Sequence, residues 1–139
     1  EIIQKLHRKA IRYTQATPEE ARQADCLVID CFGLLSSIYH YGEIAYVGGG
    51  FGVGIHNVLE AAVWQIPVIF GPNNKYFQEA QGLLAVQGGF EITNYTSFTH
   101  QMNRLINNEE YLKDSGRQAG MFVRNRAGAT DKILSFVKI

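Results

Sequence analysis

Between residues 48 and 60 the chain reads GGGFGVGIHNVLE, with glycines at 48, 49, 50, 52 and 54 followed by His56, Asn57 and Glu60. Glycine lets the backbone adopt positive φ and approach a ligand closely. A helical pattern begins at about His56 or Asn57, so the unbonded N–H groups of its first turn would face the glycines and make an anion site. The spacing fits neither GxGxxG nor the GxxxxGK[ST] phosphate loop, since no lysine follows. A dinucleotide cofactor or ATP hydrolysis is therefore not expected, and no cofactor is assigned. The phosphate of a sugar nucleotide fits better, and the candidate contacts are Gly49, Gly50, Gly52, Gly54, His56 and Asn57. Each residue alone also has a plainer reading: the glycines as a tight turn, His56 as a packed side chain, Asn57 as an N-cap with Glu60 closing a capping box. The functional reading rests on their combination at the end of a strand. Glu60 would repel an anion, and its carboxylate is better suited to accept hydrogen bonds from a ribose diol.

Two other segments carry unusual residues at strand ends. In Asp30-Cys31-Phe32-Gly33-Leu34-Leu35, Asp30 either caps the following helix or meets the ligand, Phe32 and Gly33 would form a flat, close-approach seat for a nucleobase, and the run through Leu34 would border it. In Gly71-Pro72-Asn73-Asn74-Lys75-Tyr76-Phe77, the residues Asn73, Asn74 and Phe77 form either a polar turn or the rim of the site. The four histidines (His7, His40, His56, His100) have no metal-ligand spacing, the two cysteines form no CxxC, and no GxSxG elbow occurs. No metal site and no catalytic residue is assigned. Tyr39-His40-Tyr41 reads as aromatic packing at a helix end, and Trp64 as a core-facing helix residue.

The elements that must position these segments are short apolar runs alternating with helices. Strands are expected at Ala10–Thr14, Cys26–Asp30, Ile44–Val47, Ile66–Phe70 and Phe90–Ile92. Helices are expected over residues 2–9, 17–22 (opened by Thr17-Pro18 with Glu19 and Glu20), 32–41, 57–65 and 76–86, and then near Phe98–Ile106, Glu110–Arg124 and Asp131–Val137. Apolar strands alternating with helices specify an α/β fold, a Rossmann-like parallel sheet with helices on both faces. In such sheets ligands bind beyond the carboxyl ends of the strands, where all three segments fall.

With 139 residues, 46% hydrophobic and 19% charged, the composition suits one globular domain spanning the whole chain. Thirteen basic residues balance thirteen acidic ones, so no excess charge draws the chain to nucleic acid or an anionic membrane. No apolar run approaches the roughly 20 residues of a membrane span. Cys26 and Cys31, five apart on a strand, would point to opposite faces as free, buried thiols. The chain opens on Glu1 within a helical pattern, which reads as a piece of a longer polypeptide.

The stretch VIDCFGLLSSIYHYGEIAYVGGGFGVGIHNVLEAAVWQIPVIFGPNNKYFQEA resembles the C-terminal domain of 3-deoxy-D-manno-octulosonic acid (Kdo) transferases. That family carries Asp-Thr-Ile/Met-Gly-Glu-Leu, Leu-Tyr, Gly-Gly-Ser, Gly-Gly-His-Asn-x-Leu-Glu and Gly-Pro…Asn-Phe in this order. They match Asp30–Leu35, Ile38-Tyr39, Gly48–Gly50, Gly54–Glu60 and Gly71–Phe77. Cys31 and Phe32 replace threonine and Ile/Met, Leu34 stands where glutamate is common, Gly50 replaces serine and Ile55 replaces glycine, and the glycine loop is about one residue short. Only backbone contacts would survive at positions 34 and 50. The resemblance implies the C-terminal half of a GT-B glycosyltransferase, truncated at its own start, which holds CMP-Kdo. The partner domain, absent here, would supply the catalytic base, the lipid A precursor site and the membrane contact on the cytoplasmic face of the bacterial inner membrane. The fragment alone is then expected to be soluble and inactive. Alternatives are another GT-B sugar-nucleotide enzyme, such as a UDP-sugar transferase or epimerase, and a non-catalytic doubly wound interaction module.

Overall fold

The structure, a computed structural model, describes residues 7–136, with side chains at 129–132 left out of the description. The chain divides into two compact units, Glu1–Ile38 and Tyr39–Ile139. The helix expected over residues 2–9 falls mostly outside the described residues, and His7–Lys9 form a bend.

In the first unit, strands β1 (Ala10–Arg12) and β2 (Cys26–Val28) pair in parallel, with Ala10 opposite Cys26. Helix α1 (Pro18–Arg22) connects them and begins as its residues dictate. The Thr17 hydroxyl accepts from the Glu20 N–H, Glu20 reaches back to the Thr17 N–H at 3.0 Å, and Pro18 occupies the first turn. Helix α2 (Leu35–Ile38) is a single turn. No described residue of this unit is buried. Cys26 and Cys31 are free, as expected, but half-buried.

The second unit is built on a three-stranded parallel sheet of β3 (Ala45–Val47), β4 (Val68–Phe70) and β5 (Gly89–Glu91), in that spatial order. Ala45 lies opposite Val68, and Val68 opposite Gly89. Its helices are α3 (Leu59–Ala62), α4 (Gln78–Ala85), α5 (Tyr95–Ile106), α6 (Glu109–Arg126) and α7 (Ala129–Phe136). The central strand is buried on both faces, and its alternating side chains feed two cores. Val68 and Phe70 pack with Ala61, Ala62, Ala80, Leu83, Ala119 and Phe122 on one side. Ile69 packs with Ile92 and Leu105, flanked by Phe98 and Met102, on the other. Helices therefore cover both faces, the layout expected for a Rossmann-like sheet. No helix of the described residues is long and apolar enough to cross a membrane.

Helix α3 is shorter at both ends than the expected 57–65. The backbone turns at Val63–Gln65, where Gln65 takes φ 60°, before Ile66-Pro67 leads into β4. The residue before a proline disfavours helix, which explains the stop. Trp64 thus lies in the turn, 39% exposed, and not on a core-facing helix position. Its ring meets His40 at 4.9 Å, and His40 meets Tyr41 at 5.1 Å within the 3-10 turn Tyr39–Tyr41, though Tyr41 itself stays exposed.

Candidate functional site

The glycine segment leaves β3 and folds back on itself. Gly48 O accepts from His56 N–H at 3.1 Å, and Gly49 O accepts from Gly52 N–H at 2.9 Å and from Gly54 N–H at 3.3 Å. Three of the N–H groups available to an anion are thus engaged inside the loop. Those of Phe51, Val53 and Asn57 donate to no protein acceptor among the described residues. Two glycines are required by the path: Gly49 has φ +90°, and Gly54 has φ +142° with the Phe77 ring over it.

The following helix begins at Leu59, two to three residues later than expected, because the preceding residues are otherwise engaged. His56 bonds back to Gly48, and the Asn57 side-chain oxygen accepts from Leu59 N–H at 3.0 Å in an Asx turn. The Asn57 amide also donates to Glu60 Oε1 at 3.1 Å. The expected capping box is replaced by this side-chain pair, and a single-turn helix supplies little dipole. Glu60 is half-buried. Its negative charge, after the larger effect of burial, pushes the Tyr39 hydroxyl above its ordinary pKa.

The second loop of this unit abuts the first. A Cβ on Gly50 would lie 2.6 Å from the Gly71 backbone. Asn73 N–H donates to Gly50 O at 2.9 Å, and its side-chain amide donates to Gly52 O. Asn73 and Phe77 therefore sit against the glycine loop. Asn74 does not belong to a rim: it is 0% exposed, and its amide points inward to Gly71 O and Glu91. Burial of an uncharged amide with its donors satisfied is favourable where an exposed rim position was expected.

Beside these loops opens a cleft of about 350 Å³, lined by Ile55, His56, Asn57, Val58, Leu59, Phe77 and Glu79. His56, Asn57 and Phe77 were expected there. Glu79, the acid in the first turn of α4, also lines it, two residues beyond the Gly71–Phe77 motif.

Asp30, Phe32, Gly33 and Leu34 lie in the first unit. The Asp30 carboxylate neither caps the next helix nor stands free. It accepts from Thr14 N–H at 3.0 Å and from the Thr14 hydroxyl at 2.8 Å, tying the segments that follow β1 and β2. The hydroxyl bond, then the N–H bond, holds its pKa below the ordinary aspartate range. Phe32 is fully exposed, and Gly33, at φ +86°, has open space where a side chain would project. The Leu34 carbonyl accepts from the Ile38 N–H at 2.9 Å and so starts α2. Among the described residues no group of three or more His, Cys, Asp or Glu side chains converges.

No protein-family model matches the chain. Among curated proteins, the 3-deoxy-D-manno-octulosonic acid transferase of Aquifex aeolicus is 36% identical over 96 residues, covering 68% of this chain and 27% of that protein. Its counterpart from Chlamydia pneumoniae is 29% identical over 136 residues, 95% of this chain and 31% of that protein. That of Rickettsia felis is 31% identical over 116 residues, 81% and 25%. The resemblance expected from the motifs is thus found across these relatives, and the chain spans between a quarter and a third of their length. Among solved structures, the C-terminal CMP-Kdo binding domain of WaaA from Acinetobacter baumannii matches with TM-score 0.76 and 21% identity. The match covers 88% of this chain and 64% of that one, a likeness of fold.

Proposed function

We infer that this chain, a relative of the Kdo transferases, forms the donor-binding part of a glycosyltransferase that moves Kdo from CMP-Kdo to a lipid A precursor. One observation carries this reading. At the end of the glycine segment, whose Gly50 and Gly54 are themselves buried, an open cleft is walled by Ile55, His56 and Asn57. The ordered motifs and the relatives' shared name support it. In this reading the N–H groups of Phe51, Val53 and Asn57, with the loop around Gly49–Gly54, receive the CMP phosphate and stabilise it as leaving group. Glu60, steadied by Asn57, offers its second carboxylate oxygen to the ribose. The catalytic base, the lipid acceptor site and contact with the cytoplasmic face of the inner membrane are assigned to the rest of a longer polypeptide.

Saturation-transfer NMR of this chain with CMP, UMP and UDP tests the assignment. CMP is expected to give the strongest transfer; an equal or stronger response to the uridine nucleotides would move the chain to another sugar-nucleotide enzyme. Glu60→Ala is expected to weaken CMP binding about tenfold, the effect of losing one charge-assisted hydrogen bond, with the melting temperature little changed. Unchanged CMP binding with a lower melting temperature would reduce Glu60 to a helix-start residue.

A further inference from the structure

Asn74 and Ser115 are the buried polar side chains among the described residues, and Asn74 alone joins three segments. Its amide donates to Gly71 O at 3.0 Å and to Glu91 Oε2, at the end of β5, at 2.7 Å. Its carbonyl oxygen accepts from the Gln81 side chain, on α4, at 2.6 Å. Both amide hydrogens and the oxygen are thereby satisfied. The next residue back in the chain holds the glycine loop: Asn73 donates through its backbone to Gly50 O and through its side chain to Gly52 O. The contact leaves no room for error, since a Cβ on Gly71 would lie 2.6 Å from the Gly50 carbonyl carbon.

We propose that the Glu91–Asn74–Gln81 network is a positioning device for the glycine loop, fixing residues 71–74 so that Asn73 holds Gly50 and Gly52 in the shape that receives the ligand. The inference rests on the reading of that loop as a phosphate site. An apolar side chain would fill the same volume but would not specify where the 71–74 turn sits. A satisfied buried amide with a charge-assisted bond to Glu91 specifies one arrangement. Glu91 is exposed, so its truncation removes the charged partner at the surface and leaves the packed core in place.

Glu91→Ala, Asn74→Ala and the double variant test this by two readouts. CMP affinity is expected to fall about tenfold in each single variant, with no further loss in the double, because both remove one network. Amide exchange at Asn73 and Gly52 is expected to quicken about tenfold while that of Ile69 in the core strand stays the same. Uniformly faster exchange with unchanged CMP affinity would mean that the network serves stability alone and would overturn the proposal. If the unaltered chain bound no CMP, the donor reading would fall, and the exchange pattern would still decide whether Asn74 positions the loop.

Discussion

A methyl group added at Gly49 would lie 2.2 Å from the Gly54 carbonyl oxygen, on a backbone with φ +90°. The same group at Gly52 would rest 3.6 Å from the Gly49 oxygen, an ordinary contact. Gly49→Ala is therefore expected to destabilise the chain by at least about 2 kcal/mol, combining left-handed strain with a backbone clash. Gly52→Ala should change stability by less than about 1 kcal/mol. Thermal melts of the two variants check this, and equal losses would refute the loop geometry. A carboxylate shows the same dependence on neighbours. Asp30 is held below its ordinary pKa by Thr14. Its contribution is present above the unfolded aspartate pKa and is lost as pH falls through the lowered folded value. Thr14→Val should raise the Asp30 pKa in a carboxyl NMR titration, because the hydroxyl bond is the larger cause of the shift. At this scale the sequence displayed which residue types gather at strand ends. It did not display which glycines have no room for a side chain, nor that the partner of Asp30 lies sixteen residues earlier, because both depend on contacts between distant segments.

Helix α6 packs through a stripe of small residues, Ser115, Gly116, Ala119 and Gly120, all buried. A Cβ on Gly116 would come within 2.1 Å of the Gln65 carbonyl oxygen in the turn that ends α3. Two effects oppose each other in Gly116→Ala. Helix propensity favours alanine by about 1 kcal/mol, whereas overpacking against backbone costs about 1–3 kcal/mol. Because the obstructing atom belongs to a turn already held at positive φ, it has little freedom to yield, and the clash should win. Urea titration should show a net loss of roughly 1 kcal/mol or more; a gain would mean that the helix stands further from the turn. The interior of every element in the second unit was legible from apolar periodicity. The ends were not, and α3 shows why. Asn57, His56 and Ile66-Pro67 each carry a local signal, but which one starts or stops a helix was decided by Gly48 and by the return of the chain into β4.

The two units differ in what holds them. The second surrounds a strand whose three residues Val68, Ile69 and Phe70 are all fully buried, with separate apolar clusters on either face. The first contains a two-stranded parallel sheet, and Leu27 in its second strand is 41% exposed. Parallel sheets normally cover both faces, and two strands alone are marginal in water. The fold class read from the alternation of strands and helices was right for both units, since every strand pairing among the described residues is parallel. The expectation that Cys26 and Cys31 would be buried failed, both being half-buried, because a sequence pattern reports what a strand is built to bury and not what covers it. Stability should follow burial. In hydrogen exchange read by mass spectrometry, segments spanning Ala10–Val28 should exchange through local opening well before those spanning Val68–Phe70. Saturating CMP should slow exchange at 49–57 while leaving Val68–Phe70 unchanged, as the phosphate reading requires. Unchanged exchange at 49–57 would remove the phosphate from the glycine loop, whatever its fold.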